Sequence, residues 1–301
     1  MIYTLTLNPS IDYYIYCNDL KVGDINRAND DSFVAGGKGI NVSRMLSILS
    51  IPSVCVFPDG GFSGNFLENE LNRDELIKTK VVKIEEPNRI NVKIRHQLET
   101  DINTLGPNIS VQAQEELIKL FDDLKENDYL VLSGTVQSDL FDMVKKIARV
   151  VREKKAKLVL DVPNMTLCDI IECTPYLIKP NIDELRKMTN MDSDVDTIIE
   201  SLRSQLESET ITKMLVSMGK DGACYVDKSK KFRVIGPALK VVNTVAAGDS
   251  MLATLVGMLQ KQVDEIEAVK YAVACGTACV ASEYLPTVEL VNEVFKKVTI
   301  E

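Results

Sequence analysis

Short apolar runs alternate with longer amphipathic stretches along most of the chain, and the two patterns predict strands and helices in turn. Residues 3–7, 129–132 and 158–161 are apolar runs bounded by turn signals, which is typical of buried strands. Residues 110–126 and 138–154 carry apolar positions at helical spacing, each after a serine that can cap a helix. Strands that alternate with helices favour an α/β fold with a mainly parallel sheet covered on both faces.

Two segments break this regular alternation. Residues 13–34 contain aromatic residues and short alternations with no helical period, and residues 89–95 alternate apolar with polar side chains. Both patterns predict strands outside the main sheet, in segments of about 12–35 and 88–104. We therefore expect a single domain over residues 1–301, in which a small β-sheet lid is inserted into the α/β body.

Residues 246–249, Ala-Ala-Gly-Asp, form a predicted turn into a helix whose apolar side chains recur at helical spacing over 252–259. Small residues let the backbone approach a phosphate, and the first amides of a helix, which lack partners within it, point at the anion. An anion raises the proton affinity of Asp249 while the helix terminus lowers it, so this carboxylate could accept a proton from an attacking hydroxyl. An ordinary helix N-cap is the alternative interpretation.

A second glycine turn, Gly-Gly-Lys-Gly at residues 36–39, precedes a helix whose apolar face starts at Val42. It has neither the GxxxxGK[ST] spacing of a Walker A loop nor the GxGxxG of a dinucleotide-binding turn, so neither nucleotide fingerprint applies. One interpretation is close approach of the backbone to a polar ligand, with Lys38 and Asn41 aimed at hydroxyls or phosphate. A simple turn at the start of a helix is the other.

Further polar positions follow strand-like runs. Asp12 lies just beyond the first run, where open α/β sheets hold ligands, although a turn-capping aspartate fits the sequence equally. Asn181 and Glu184 are three residues apart at the start of a later helix, on one face of its first turn. They could order waters around a metal ion, and a helix capping box has the same spacing.

The composition narrows the function classes. The chain has 301 residues, 45% of them hydrophobic, and a formal charge of −9, which argues against a nucleic-acid surface. Its one histidine, His96, cannot supply a His-based metal cluster. The seven cysteines form no CxxC pair, which favours reduced core thiols. No apolar run has the length of a membrane span and the N-terminus lacks a basic leader region, so we expect a cytoplasmic protein with neither nucleic-acid nor membrane partners.

Together these motifs resemble those of the PfkB-family (ribokinase-like) carbohydrate kinases, and within them the branch of 1-phosphofructokinases and tagatose-6-phosphate kinases. The matching segments span nearly the whole chain: residues 6–12, 36–44, 89–93, 132–134, 178–184, 216–219 and 243–251. The resemblance implies a three-layer α/β sandwich with a small β lid, ATP and Mg²⁺ as cofactors, and a homodimer formed through the lid. It implies phosphorylation of a ketohexose phosphate, first D-fructose 1-phosphate, with tagatose 6-phosphate or fructose 6-phosphate as the alternative acceptor.

The resemblance also implies a role for each site residue. Asp249 would be the general base, and the charge that develops on the phosphoryl group would be held by the amides of Ala246, Ala247, Gly248 and Asp249. The sugar would contact Asp12, Gly37, Lys38 and Asn41, and its phosphate would bind Arg27, Arg89 and Lys38. ATP would contact Lys179, Asn181, Ser217, Gly219, Gly222 and Gly248. Magnesium would lie near Glu184 and Asn181, held through water.

Three segments depart from the family pattern. Ala246 stands where glycine is usual, and residues 133–137 and 161–164 also differ. If position 246 requires a positive φ, alanine costs about 1 kcal/mol there and could displace an amide. This keeps open a rival of another class, a low-activity kinase-like protein that binds sugar phosphate and ATP. A dinucleotide-binding oxidoreductase is disfavoured because no GxGxxG follows the first strand.

Overall fold

The computed structural model describes residues 1–96 and 99–301; residues 97 and 98 of the predicted lid segment lie outside the described residues. The strands are β1 (Ile2–Leu5), β2 (Ser10–Tyr16), β3 (Asp30–Gly36), β4 (Ser53–Gly60), β5 (Ile77–Ile84), β6 (Arg89–Arg95), β7 (Glu99–Ile102), β8 (Tyr129–Ser133), β9 (Lys157–Asp161), β10 (Leu177–Ile178), β11 (Lys213–Ser217), β12 (Ala223–Asp227), β13 (Lys231–Ile235) and β14 (Thr299–Ile300).

The α-helices are α1 (Lys38–Ile48), α2 (Gly61–Leu71), α3 (Val111–Lys119), α4 (Phe141–Glu153), α5 (Leu167–Cys173), α6 (Ile182–Thr189), α7 (Val195–Ser201), α8 (Arg203–Glu207), α9 (Ala247–Gln260), α10 (Glu265–Val280) and α11 (Val288–Phe295). Short 3-10 turns lie at Ser138–Leu140 and Gly219–Asp221. None of the helices in the described ranges combines the length and apolarity that a membrane crossing requires.

Within the described residues, one sheet of ten strands has the order β14-β13-β12-β11-β10-β9-β8-β1-β4-β5. Neighbouring strands from β11 to β5 in this order pair in parallel, and only the pairs that involve β12, β13 and β14 are antiparallel. The carboxyl ends of the parallel strands therefore meet at one edge of the sheet, where open α/β folds bind ligands.

Buried side chains alternate between the two faces of the central strands. In β8, Leu130 and Leu132 belong to one core cluster, whereas Tyr129 and Val131 belong to another. The first cluster includes buried residues of helices α3 to α8, and the second includes residues of α1, α9, α10 and α11. Helices thus cover both faces of the sheet, and the α/β three-layer sandwich that the sequence predicts is confirmed.

A second, smaller sheet has the order β3-β2-β6-β7 among the described residues. Strand β2 pairs antiparallel with β3 and parallel with β6, so that Asp12 lies beside Asn91 although the two are far apart in sequence. A third apolar cluster, which includes Ile11, Phe57 and Leu67, connects this sheet and α2 to β4 of the main sheet. Strands β2 and β3, which overlap the predicted lid segment of about 12–35, therefore join β6 and β7, which lie within the segment 88–104, in one sheet.

Local boundaries differ from the sequence predictions in several places. The helix predicted over residues 110–126 ends at Lys119. Strand β1 ends at Leu5 rather than residue 7, because the chain leaves the main sheet to enter the small one after one more backbone bond, from Thr6 to Val56. Asp12 is therefore a strand residue and does not cap a turn. Ser138 begins a 3-10 turn that precedes α4, and its side chain does not cap the helix.

Candidate active site

A cavity of about 400 Å³ lies at the carboxyl edge of the main sheet, beside the small sheet. Most of the sequence-predicted site residues line it: Asp12, Gly37, Lys38, Asn41, Arg89, Lys179, Asn181, Glu184, Ser217, Ala246, Gly248 and Asp249. These residues come from both sheets and from the starts of three helices. The fold therefore brings together side chains that span more than two hundred positions of the sequence.

The turn that opens α9 forms one wall of this cavity. Ala246 is the N-cap residue, with φ 62° and ψ 2°, in the left-handed region, and no side chain caps the helix. The first helical bond is intact, because the amide of Ser250 donates to the carbonyl of Ala246 at 2.8 Å. Ala246 therefore adopts the positive φ that glycine would favour without breaking the start of the helix.

Asp249 lies in the first turn of α9 and is almost fully buried. Its Oδ2 accepts a hydrogen bond of 2.8 Å from Nδ2 of Asn41. Burial, followed by repulsion from Asp161, raises its pKa to about 6, although Lys38, Asn41 and Lys179 oppose the rise. The carboxylate is therefore ionised near neutral pH and still basic enough to accept a proton.

The turn that opens α1 forms the facing wall. Gly37 has φ 122° and ψ 138°, and a Cβ built on it would lie 2.8 Å from the Thr6 side chain. Next to it, the Lys38 Nζ lies 3.6 Å from Asp161 and 3.9 Å from Glu184. Burial lowers the pKa of Lys38, but its acidic neighbours raise it above the ordinary value overall. Lys38 therefore carries a positive charge into the cavity.

Asp161 is a central residue that the sequence predictions did not assign. It ends β9, is buried, and lies 3.4 Å from the Lys179 Nζ on one side and 3.6 Å from the Lys38 Nζ on the other. Burial raises the pKa of this carboxyl, but Lys179 and Lys38 lower it below the ordinary value overall. In the sequence, its position at the end of a predicted strand was the signal that could have marked it. Its location between two lysines depends on the pairing of β9 with β8 and β10.

The small sheet supplies the opposite end of the cavity. Asp12 accepts hydrogen bonds from Ser10 at 2.9 Å and from Asn91 at 2.8 Å, so its carboxylate is held in place. Arg89 is half-buried, and its Nε donates to the carbonyl of Asn8 at 3.3 Å. Burial lowers the pKa of Arg89, and the smaller effect of Asp12 raises it, so the pKa is below its ordinary value overall. Asn91, which lines the cavity, was missed because it is one of several polar residues that alternate along β6.

Arg27 lies apart from the other predicted residues. It is exposed, in the loop between β2 and β3, and it is not among the described residues that line the cavity.

Asn41 lies at the cavity but uses both ends of its side-chain amide within the protein. Its Nδ2 donates to Asp249, and its Oδ1 accepts a hydrogen bond of 2.5 Å from the hydroxyl of Tyr284. No motif or spacing marked Tyr284 in the sequence.

Asn181 and Glu184 form the capping box of α6. The Asn181 side chain accepts from the Glu184 amide at 2.8 Å, and Oε2 of Glu184 accepts from the Asn181 amide at 2.8 Å. Oε1 of Glu184 is outside this box and faces Lys38. Residues 1–96 and 99–301 contain no group of three or more His, Cys, Asp or Glu side chains placed to hold a metal ion. The pair therefore offers one carboxylate oxygen rather than a preformed metal cage.

A larger cavity of about 670 Å³ adjoins the first, since Asn181, Ser217, Thr244 and Gly248 line both. Gly219 and Gly222, the remaining residues predicted for ATP, line it as well. So does Ala247, whose amide was predicted to hold the phosphoryl charge. Its far wall is apolar and is formed by residues such as Leu239, Val241, Val273 and Val280. The start of α9 thus lies between a polar cavity and a cavity with an apolar wall.

Comparison with known proteins identifies the family. The sequence pattern of the pfkB family carbohydrate kinases matches residues 5–287. The chain is 36% identical to the 1-phosphofructokinase of Bacillus subtilis, over 100% of this chain and 99% of that protein. It is 33% identical to the D-tagatose-1-phosphate kinase of Bacillus licheniformis, with the same coverage. A solved structure of a protein from Staphylococcus aureus is 37% identical and superposes with a TM-score of 0.87, over 100% of this chain and 98% of the other. The chain belongs to the pfkB family of carbohydrate kinases.

Proposed function

We propose that this protein transfers the γ-phosphoryl group of ATP to a ketohexose phosphate, with D-fructose 1-phosphate as the acceptor and D-fructose 1,6-bisphosphate as the product. The observation that carries the proposal is Asp249, a buried carboxylate with a pKa near 6 at the helix start that two cavities share. The identity to a 1-phosphofructokinase over the full chain supports this acceptor. Identity of 33% to a tagatose-1-phosphate kinase favours D-tagatose 1-phosphate as a second candidate.

The proton transfer follows from the geometry of Asp249. Its Oδ2 is engaged by Asn41, and we assign proton acceptance to Oδ1. As the acceptor oxygen bonds to the γ-phosphorus, its proton passes to Asp249, and the bond to ADP breaks. General-base catalysis of this kind contributes about 10²- to 10⁴-fold in rate.

Charge stabilisation is supplied by the backbone and by two lysines. The first amides of α9 have no partner within the helix, and the helix dipole makes its start electropositive. The Lys38 and Lys179 side chains are held on either side of Asp161, and Lys179 lies next to Gly248 of the same turn. A phosphoryl group in transfer would meet positive charge from three sources, the α9 turn, Lys38 and Lys179, and such charge stabilisation is the main requirement of this reaction.

Binding of the two substrates follows from the two cavities. The polar cavity, with Asp12 and Arg89 at its far end, fits a sugar phosphate whose reacting hydroxyl lies near Asp249. The cavity with the apolar wall fits the adenine and ribose of ATP. Magnesium bound to the ATP phosphates supplies charge neutralisation and keeps several waters. Oε1 of Glu184, which is outside the capping box, would contact such a water.

The acceptor is tested by ADP release from MgATP with purified protein and four acceptors: D-fructose 1-phosphate, D-tagatose 1-phosphate, tagatose 6-phosphate and fructose 6-phosphate. The proposal expects the highest kcat/KM with D-fructose 1-phosphate. A higher value for another acceptor would replace the first choice. Binding of ATP and sugar phosphate without turnover of any acceptor would instead support the low-activity binding protein that Ala246 leaves open.

We further propose that the protein forms a homodimer through the small sheet. Val22 and Ile25 in the β2–β3 loop are almost fully exposed, and Phe33 of β3 is half exposed. Exposed apolar side chains on one region of a surface are typical of an interface. Light scattering after gel filtration should give twice the 33.5 kDa chain mass, and a Val22→Asp, Ile25→Asp variant should give the monomer mass. A wild-type monomer at micromolar concentration would contradict the proposal.

A further inference from the structure

A chain of hydrogen bonds supports Asp249 on the side of Asn41. The Tyr284 hydroxyl donates to Oδ1 of Asn41 at 2.5 Å, and Nδ2 of Asn41 donates to Oδ2 of Asp249 at 2.8 Å. The three residues lie after α10, in α1 and in α9, so the chain joins segments that are distant in sequence. The proton and phosphoryl transfers described above make no use of Tyr284.

The direction of these bonds is determined by the charge on Asp249. An ionised carboxylate only accepts hydrogen bonds, so Asn41 must present its NH₂ end to Asp249 and its oxygen to Tyr284. Burial raises the pKa of Tyr284 above its ordinary value, so the phenol keeps its proton at neutral pH and can donate. If the amide of Asn41 turned over, its oxygen would face the carboxylate of Asp249, and repulsion between the two would favour the protonated acid.

Arg44 holds the Tyr284 ring in place. Its guanidinium carbon lies 5.1 Å from the ring centroid, within the range of a cation–π contact. Arg44 follows Asn41 by three residues in α1, so both side chains extend from the same face of the helix. The positive charge of Arg44 also opposes the rise in the pKa of Tyr284, which makes the hydroxyl a stronger donor.

We infer that Tyr284 is a positioning residue for the kinase reaction: its hydroxyl fixes the amide of Asn41, and that amide aims the carboxylate of Asp249 and keeps it ionised. This inference rests on the proposed function, because it gives Asp249 the role of the base. Tyr284 is not among the described residues that line either substrate cavity. Its hydroxyl donates to Asn41, and through this bond it acts on Asp249.

Other groups also influence these two side chains and must stay constant in a test. Those that face Asp249 are Asp161, Lys38, Lys179 and the thiol of Cys279. Those that face Tyr284 are Arg44, Asp12, Tyr14 and Asp249. Burial raises the pKa of Cys279 to about 11, so this thiol stays neutral. Tyr284→Phe and its control below leave all of these groups unchanged.

The test variant is Tyr284→Phe, which keeps the ring over Arg44 and removes only the hydroxyl. We expect kcat to fall about tenfold, because loss of one hydrogen bond frees the Asn41 amide to turn. Asn41 donation lowers the pKa of Asp249, so weaker donation raises it. The acid limb of the pH profile of kcat/KM, near pH 6 in the wild type, should therefore move up by about half to one unit. The KM for MgATP should stay within about twofold.

Tyr271→Phe is the matched control. Tyr271 is a partly buried tyrosine of α10, its ring stacks on Phe295 at 3.9 Å, and it lies outside both cavities. This variant should leave kcat and the acid limb unchanged. A double-mutant cycle with Asn41→Ala tests the route, because Tyr284→Phe should cause no further loss of kcat in that background. An equal loss in both backgrounds would overturn the inference.

A measurement without substrate separates this inference from the choice of acceptor. The carboxyl of Asp249 can be titrated by NMR in protein labelled with ¹³C-aspartate, with Asp249→Asn to assign its signal. We expect a higher pKa for Asp249 in Tyr284→Phe than in the wild type, and no change in Tyr271→Phe. An unchanged titration would overturn the inference. A wild type that phosphorylates no ketohexose phosphate would overturn the proposed function, and the titration would still decide the role of Tyr284.

Discussion

Two helix-opening turns face the same cavity. Each begins its helix with a residue at a positive φ, but the residue differs between the two turns. The turn before α1 has Gly37 at φ 122° and ψ 138°, and the turn before α9 has Ala246 at φ 62° and ψ 2°. Neither N-cap residue makes a side-chain capping bond. The first conformation is open in practice only to glycine, whereas the second is the left-handed region, which alanine enters at a cost of about 1 kcal/mol. A change from glycine is therefore tolerated at the second turn and not at the first.

The two turns also divide the chemistry. The α9 turn carries Asp249, which we propose to be the base, and the backbone amides that we propose to meet the phosphoryl group. The start of α1 carries Lys38 and Asn41, whose charge and hydrogen bond lower the pKa of Asp249 against the effect of burial. The strict backbone requirement thus lies in the turn whose side chains tune the base, not in the turn that holds it. Three substitutions test this comparison.

Asp249→Asn should have the largest effect. The amide cannot accept the proton of the acceptor hydroxyl, so we expect kcat to fall on the order of 10²- to 10⁴-fold, measured by ADP release. The KM for MgATP should change little, because asparagine is almost the same size and keeps an oxygen for Asn41. A loss of less than tenfold would show that the α9 turn acts through its amides alone.

The urea unfolding midpoint of Asp249→Asn shows whether misfolding contributes to its loss of activity. The folded-state pKa of Asp249, about 6, lies above its ordinary value of 3.8. The wild type therefore binds more protons when folded, and it loses stability as the pH rises from about 4 to about 6. Asp249→Asn lacks this loss, so its urea midpoint at pH 8 should equal or exceed that of the wild type. A lower midpoint would mean that misfolding contributes to the loss of activity.

Gly37→Ala should have the next largest effect. Alanine would be strained at this φ by about 1–3 kcal/mol, and its Cβ would lie 2.8 Å from the Thr6 side chain. Gly23→Ala is the control, because Gly23 also has a positive φ, 90°, but a Cβ there meets nothing within 4 Å. We expect a clearly larger drop in the urea unfolding free energy for position 37. Equal drops in the unfolding free energy at both positions would show that the contact with Thr6 does not contribute to the effect at position 37.

Ala246→Gly should have the smallest effect. Glycine relieves the strain of the left-handed backbone but adds freedom to the unfolded chain, so the two terms nearly cancel and the unfolding free energy should change by less than about 1 kcal/mol. Because the first bond of α9 is intact in the wild type, kcat should stay within about threefold. A tenfold gain in kcat would show instead that alanine displaces an amide and slows this enzyme.

The order of elements could be predicted from the sequence because each signal is local. Alternation over 89–95 predicted strand β6 with its observed bounds, and Ser110 caps α3 as its position suggested. Boundaries that depend on distant partners were missed. The end of β1 is determined by where the chain crosses to the small sheet, and the role of Asp12 by its pairing beside Asn91.

Candidate site residues could be predicted where a local sequence motif marks them. They could not be predicted where their position depends on tertiary packing. Asp249, Lys38 and Asn41 were marked by small residues at helix starts, a pattern that follows from backbone geometry alone. The sequence by itself determined the family, the layered α/β fold and a carboxylate at the turn that opens a helix. Only the tertiary structure decided that Asp161 lies between two lysines, that Asn41 bonds to Asp249, and that Tyr284 supports this bond. Hydrogen bonds and ion pairs act over about 3–4 Å in space, so a sequence position reveals such partners only after the chain has folded.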